Sequence, residues 1–152
     1  MTKGELSEKI ADSVIDKIEK KYSGQLIQKM FFELCPYYNK GENGEWEDWI
    51  EFRAIVVSKT EVDRIIEKYV KRGETLEDAV SISEGGGEYD TEDWKNHVRF
   101  NFAEKEYGIE DWEWSDTVEA CKDAVQKIKA HEFTAFSKTS DFIADCELWI
   151  DD

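Results

Sequence analysis

The stretch QLIQKMFFELCPYY, Gln25 to Tyr38, decides the fold. Alternation puts Leu26, Met30, Phe32 and Leu34 on one face, and Ile27, Lys29, Phe31, Glu33 and Cys35 on the other. A period of two predicts a strand, with Pro36 near its end. The turn-rich NKGENGE follows, and then WEDWIEFRAIVV, Trp46 to Val57, alternates again. There Trp46, Ile50, Phe52, Ala54 and Val56 oppose Glu47, Trp49, Glu51, Arg53 and Ile55. Two alternating runs around a turn predict an antiparallel hairpin.

Working outward, Leu6, Ile10, Val14 and Ile18 recur every four residues and predict a helix. Thr2 or Ser7 would cap it, and it should end near Tyr22, before Gly24. After the hairpin, Val62, Ile65, Ile66, Tyr69 and Val70 predict a second helix between Thr60 and Gly73. TLEDAV, from Thr75, would add a short one, and SEGGGEYDTED reads as a loop. WKNHVRFNFAE returns to strand, with Trp94, Val98, Phe100 and Phe102 opposite His97, Arg99 and Asn101. Val118, Cys121, Val125 and Ile128 predict a third helix capped by Ser115 or Asp116. FIADCELWI, Phe142 to Ile150, alternates once more and predicts a final strand, with a helix capped by Ser140 as the alternative.

The order α-β-β-α-(α)-β-α-β predicts an α+β fold: a single mostly antiparallel sheet of about four strands, helices packed on one face. The 152 residues suffice for one domain, 1–152, with a core that needs no disulfide or metal. Cys35, Cys121 and Cys146 are odd in number and lack CxxC spacing, so they read as reduced thiols of a cytoplasmic protein. The N-terminus has no apolar signal region, and no run approaches the ~18 apolar residues of a membrane span.

Net charge is −16, from 36 acids and 20 bases. This argues against direct nucleic-acid binding and against an anionic membrane, and it favours a basic partner. Residues 74–116 hold 14 acids and 3 bases, net −11. The tripeptide EDW occurs three times, ending at Trp49, Trp94 and Trp112. Parity assigns Trp46 and Trp94 to the core, and Trp49, Trp149 and Phe31 to the open sheet face among carboxylates. Trp112 and Trp114 fall in a connection.

No motif of hydrolases, zinc proteases or nucleotide-binding loops is present, so an enzyme is not indicated. His97 and His131 stand in no Cys-His motif. GGGEYD, Gly85 to Asp90, departs from the calcium-binding GGxGxD pattern at Glu88. Glu88, Asp90, Glu92 and Asp93 offer oxygen ligands to a divalent cation, but a solvated acidic loop accounts for them, and no metal or other cofactor is expected.

The reading is a non-enzymatic acidic protein that occludes a basic, toxin- or nuclease-like protein partner. In size and charge, though in no motif, the chain is similar to bacterial immunity proteins, antitoxins and phage-encoded inhibitors of defence nucleases, which often mimic nucleic-acid charge. Its expected partner-binding residues are Glu47, Trp49, Glu51, Glu88, Asp90, Glu92, Asp93, Glu110, Asp111, Trp112, Glu113, Trp114 and Trp149. Aromatic anchors would supply contact area while carboxylates steer a basic surface. A second class remains: a small-molecule-binding domain or small enzyme, with Trp49, Trp149 and Phe31 as stacking groups and Arg53 or Arg99 orienting the ligand. A third is a homodimer or larger assembly built on the same face.

Overall fold

The computed structural model describes residues 1–60, 63, 64, 67, 97–138 and 148–150. It is an α+β chain whose order is α1 (Lys3–Lys21), β1 (Leu26–Lys40), β2 (Trp46–Ser58), β3 (His97–Ala103), α2 (Trp114–Ala130), β4 (Ser137–Lys138) and β5 (Leu148–Ile150). Lys59, Thr60, Asp63, Arg64 and Glu67 are also helical. The expected helix at Val62–Val70, the TLEDAV helix, the triglycine loop and Trp94 otherwise lie outside the described residues.

The hairpin forms as expected. β1 and β2 pair antiparallel from Ile27↔Ser58 to Lys40↔Trp46, and β3 joins β2 antiparallel from Trp49↔Ala103 to Ile55↔His97. The other edge of β1 differs from expectation. β4 and β5 both pair with it in parallel, at Leu26–Ile27 and at Phe32–Leu34. The sheet is therefore mixed, five-stranded among the described residues, and curls into a half-barrel rather than forming a mostly antiparallel sheet of about four strands. β5 falls within the expected final strand, residues 142–150; alternation names a strand's faces and not the direction in which it pairs.

The alternation of β1 is broken once. Between Ile27 and Lys29 the register slips, leaving Gln28 as the extra residue of a bulge. Ile27 thereby turns into the core, fully buried, and Leu26 is left exposed, the reverse of the expected assignment. Beyond the bulge the expected core face holds: Met30, Phe32, Leu34, Ile50, Phe52, Ala54, Val56, Val98 and Phe102 share a core with α1 and α2, while Phe31, Ile55 and Val57 are buried on the opposite face. α1 contributes Leu6, Ile10, Val14 and Ile18, and α2 contributes Ala120, Cys121, Ala124, Val125 and Ile128. Burial pushes the Cys121 thiol up to about 12, so it behaves as a small core hydrophobe and not as a nucleophile.

Helix ends follow local chemistry. The Thr2 hydroxyl accepts from Glu5 N at 3.1 Å, and Gly24 takes the left-handed φ of 75° as the chain turns into β1. α2 begins earlier than expected. Its cap is Glu113 rather than Ser115 or Asp116, with Glu113 and Asp116 forming a reciprocal capping box. Beyond α2, Glu19 of α1 gathers the chain leading to β4: its carboxylate accepts from Thr134 N at 3.2 Å and Ala135 N at 2.9 Å, and lies 3.3 Å from His131 Nε2. Burial works against the charged form of Glu19, but these hydrogen bonds outweigh it and hold its pKa below the ordinary value.

Candidate functional site

β3 meets β2 only as far as Trp49, so the pairs Tyr38↔Asp48, Asn39↔Glu47 and Lys40↔Trp46 extend past the three-stranded part of the sheet. The turn at the tip closes with Gly41 N donating to Glu45 O at 2.8 Å and Gly44 N to Gly41 O at 3.0 Å. Gly41 lies close to the Glu47 carboxyl: a Cβ there would meet it at 2.6 Å, so a larger residue would make that side chain swing aside. On this overhang Trp46 is 67% exposed and Tyr38 is 73% exposed. The expectation that Trp46 is core therefore fails. Its parity matches Ile50 and Phe52, but among the described residues no helix packs beneath it at the tip.

The connection from β3 to α2 reaches the same end of the molecule. Glu104 N donates to Asp48 O at 3.3 Å, and Ile109 N donates to Glu104 O at 3.0 Å with Ile109 buried. Gly108, at φ 66°, permits the reversal. The result is a cleft of about 340 Å³ lined by Glu45, Trp46, Glu47, Asp48, Glu104, Lys105 and Glu110. Two EDW tripeptides thus supply Glu47, Asp48 and Glu110 to one place. A larger depression of about 700 Å³ shares Glu47 and Lys105 with it, and is also lined by Lys40 and Trp49.

Five carboxylates and one lysine make this cleft electronegative. The carboxyl of Glu104 is held above the ordinary glutamate range by burial, and further by Asp48 and Glu110. A raised carboxyl favours the fold most when neutral: that contribution is complete below the unfolded-state value and is lost as pH rises through the folded one. Glu104→Gln is accordingly expected to raise stability at about pH 7 by less than ~1 kcal/mol, and to change nothing at about pH 3. Urea midpoints at the two pH values check this. Among the described residues no group of three His, Cys, Asp or Glu side chains could hold a metal ion.

The opposite sheet face is organised differently. Arg53 Nε donates to Glu51 Oε1 and Arg53 Nη1 to Glu33 Oε2, both at 3.1 Å, and Arg99 Nε also lies 3.1 Å from Glu51 Oε1. These side chains are 14–31% exposed. Burial alone would ease the proton off Arg53, but Glu51 and Glu33 outweigh it and hold the guanidinium more firmly charged. Trp149 packs on Phe31 with centroids 5.0 Å apart and the rings tilted by 38°, and Phe31 is buried, although parity had placed it on an open face. Trp149 itself is 42% exposed and Trp49 is half-buried beside Tyr37. Arg53→Leu would take from Glu33 and Glu51 the guanidinium that both carboxylates hold. It is expected to cost about 1–2 kcal/mol in urea unfolding, less than a fully buried pair because solvent still reaches the group.

The expected site residues therefore divide. Glu47 and Glu110 line the cleft; Glu47 also shares the neighbouring depression with Trp49, and Glu51 continues the same strand face away from the tip. Trp112 and Trp114 are half-buried against the core, while Asp111 and Glu113 are exposed, Glu113 serving as the α2 cap. Glu88, Asp90, Glu92 and Asp93 lie outside the described residues. Glu45, Trp46, Asp48 and Glu104 were missed. The available signal was their place beside two turns, at Gly41–Glu45 and after Ala103, where strand parity stops reporting burial.

Compared with protein-family models, curated proteins and solved structures, the chain matches none of them. No helix among the described residues is long and apolar enough to cross a membrane.

Proposed function

We propose that this chain is a non-enzymatic acidic binding protein that receives a basic protein partner on the hairpin tip and neutralises it by occlusion. The observation that carries the reading is the convergence of Asp48, Glu104 and Glu110 in one cleft beside the exposed Trp46. Crowded carboxylates with one lysine among them are relieved by a partner's cations, and an exposed indole gives the contact an apolar centre. A toxin- or nuclease-like protein with a basic working surface has the complementary chemistry.

Small-molecule binding on the opposite face draws less support. The Arg53 and Arg99 groups that would orient a ligand are already engaged by Glu33 and Glu51.

The test is capture from host lysate at low and moderate salt, using wild type and a Trp46→Ala/Asp48→Asn variant whose fold is verified by circular dichroism. A basic protein held by wild type, released by salt and not held by the variant supports the reading. A partner held equally by both places recognition elsewhere, and a partner that is not basic contradicts the electrostatic mechanism.

A further inference from the structure

Lys40 and Trp46 face each other directly across the hairpin, and the Lys40 ammonium lies 5.7 Å from the centre of the Trp46 ring. The ring is 67% exposed and belongs to the lining of the carboxylate cleft, whereas Lys40 belongs to the lining of the neighbouring depression. A cation over an indole is a favourable pair anywhere on a surface. Here the pair stands at the border of an electronegative cleft that holds Glu47, Asp48, Glu104 and Glu110.

We infer that Trp46 is the platform for an arginine side chain of the partner, and that Lys40 is an internal stand-in which that arginine displaces. The inference deepens the acidic-binding reading and rests on it. A guanidinium suits the place better than an ammonium does. It is planar and weakly hydrated, so it can stack on the indole while its edge N–H groups reach the carboxylates beside the ring. Lysine offers a compact, strongly hydrated charge without that edge. Lys40, tethered on the opposite strand, occupies the ring without entering the carboxylate cleft. The partner's arginine would do both, so the exchange favours the incoming group. One consequence is specific: removing Lys40 should tighten arginine binding through the ring, beyond the effect of simply removing a positive charge.

The probe is a hexa-arginine peptide, with hexa-lysine and hexa-citrulline for comparison, titrated calorimetrically at low salt. The proteins are wild type, Lys40→Met, Trp46→Leu, their double variant, and Lys105→Met alone and with Trp46→Leu. Exposed cation–π pairs support an expected 2- to 5-fold tightening in Lys40→Met, roughly, and a similar weakening in Trp46→Leu. The Lys40→Met gain should vanish in the Trp46→Leu background, whereas any gain from Lys105→Met should survive there. Arginine should bind more tightly than lysine, and citrulline not measurably.

A Lys40→Met gain that persists without Trp46, or equal affinity for arginine and lysine, would overturn the platform and leave the acidic reading standing. Hexa-arginine binding unaffected by amides at Glu47, Asp48, Glu104 and Glu110 would remove both.

Discussion

Replacing Glu47, Asp48, Glu104 and Glu110 together by their amides is expected to weaken capture of the basic partner by about 10²-fold at low salt. The magnitude follows from counting. Each solvent-accessible carboxylate facing a partner cation contributes about 0.5–1 kcal/mol, so the exposed Asp48 and Glu110 and the half-buried Glu47 and Glu104 together contribute about 2–4 kcal/mol. The loss should shrink as salt rises, because these charges sit within reach of mobile ions. Most of it should appear in the association rate, since a rim of like charge steers encounter more than it holds the complex. Stability should not fall with the charges. Glu104 is held above its ordinary range in the folded chain, so neutralising it removes a penalty at neutral pH. A variant that folds at least as well as wild type but binds far more slowly separates function from structure. Stopped-flow association with the partner at two salt concentrations, beside urea unfolding, measures both effects.

The second large effect belongs to the core. Phe52 is fully buried in the middle of β2, with Leu34 of β1 and Phe100 of β3 as its neighbours in register. Its ring lies 5.8 Å from that of Phe32. Phe52→Ala is expected to cost about 3–5 kcal/mol, because the transfer energy of the ring is lost and packed neighbours close only part of the cavity. Phe52→Leu keeps most of the volume and should cost less. Urea denaturation checks the order. Because Phe52 belongs to the core that joins α1 and α2 to the sheet, the alanine variant should lose stability without a separate early transition from α1 or α2.

How far these features could be read from the residues differs by element. The β1–β2 hairpin was legible because period-two alternation of large apolar groups survives over many residues, and one buried face penalises any slip of register. The bulge at Gln28 was not legible. Ile27 and Leu26 are both good core residues, and only the pairing with β2 decides which turns inward. β5 lies within the strand expected at residues 142–150, but its parallel pairing with β1, like that of β4, was hidden, because direction is set by the edge a strand docks on and not by its own alternation. α2 was legible from its stripe, although its start was misplaced, because Glu113 is a less favoured cap than Ser115 and succeeds through the reciprocal bond from Asp116.

For the site, the repeated pairing of acids with tryptophan was visible from the outset, and two of its three copies do meet at one end of the molecule. Which tryptophan is exposed was not visible. Alternation names a face, and a face is buried only where another layer lies on it. Trp46 has core parity and stands past the end of the core, whereas Phe31 has open-face parity and is buried against Trp149. The Arg53 network was half-visible: alternation puts Glu51 and Arg53 on one face, while Glu33 joins from the first strand only through the register Glu33↔Arg53.

The most direct measurement is the footprint of a bound basic partner, by amide chemical-shift changes in labelled protein as the captured partner is added at low salt. The account predicts that the largest changes cluster at residues 38–48 and 104–110, including the indole N–H of Trp46, and fade as salt is raised. Changes centred on Glu33, Arg53 and Trp149 with the tip unaffected would contradict it.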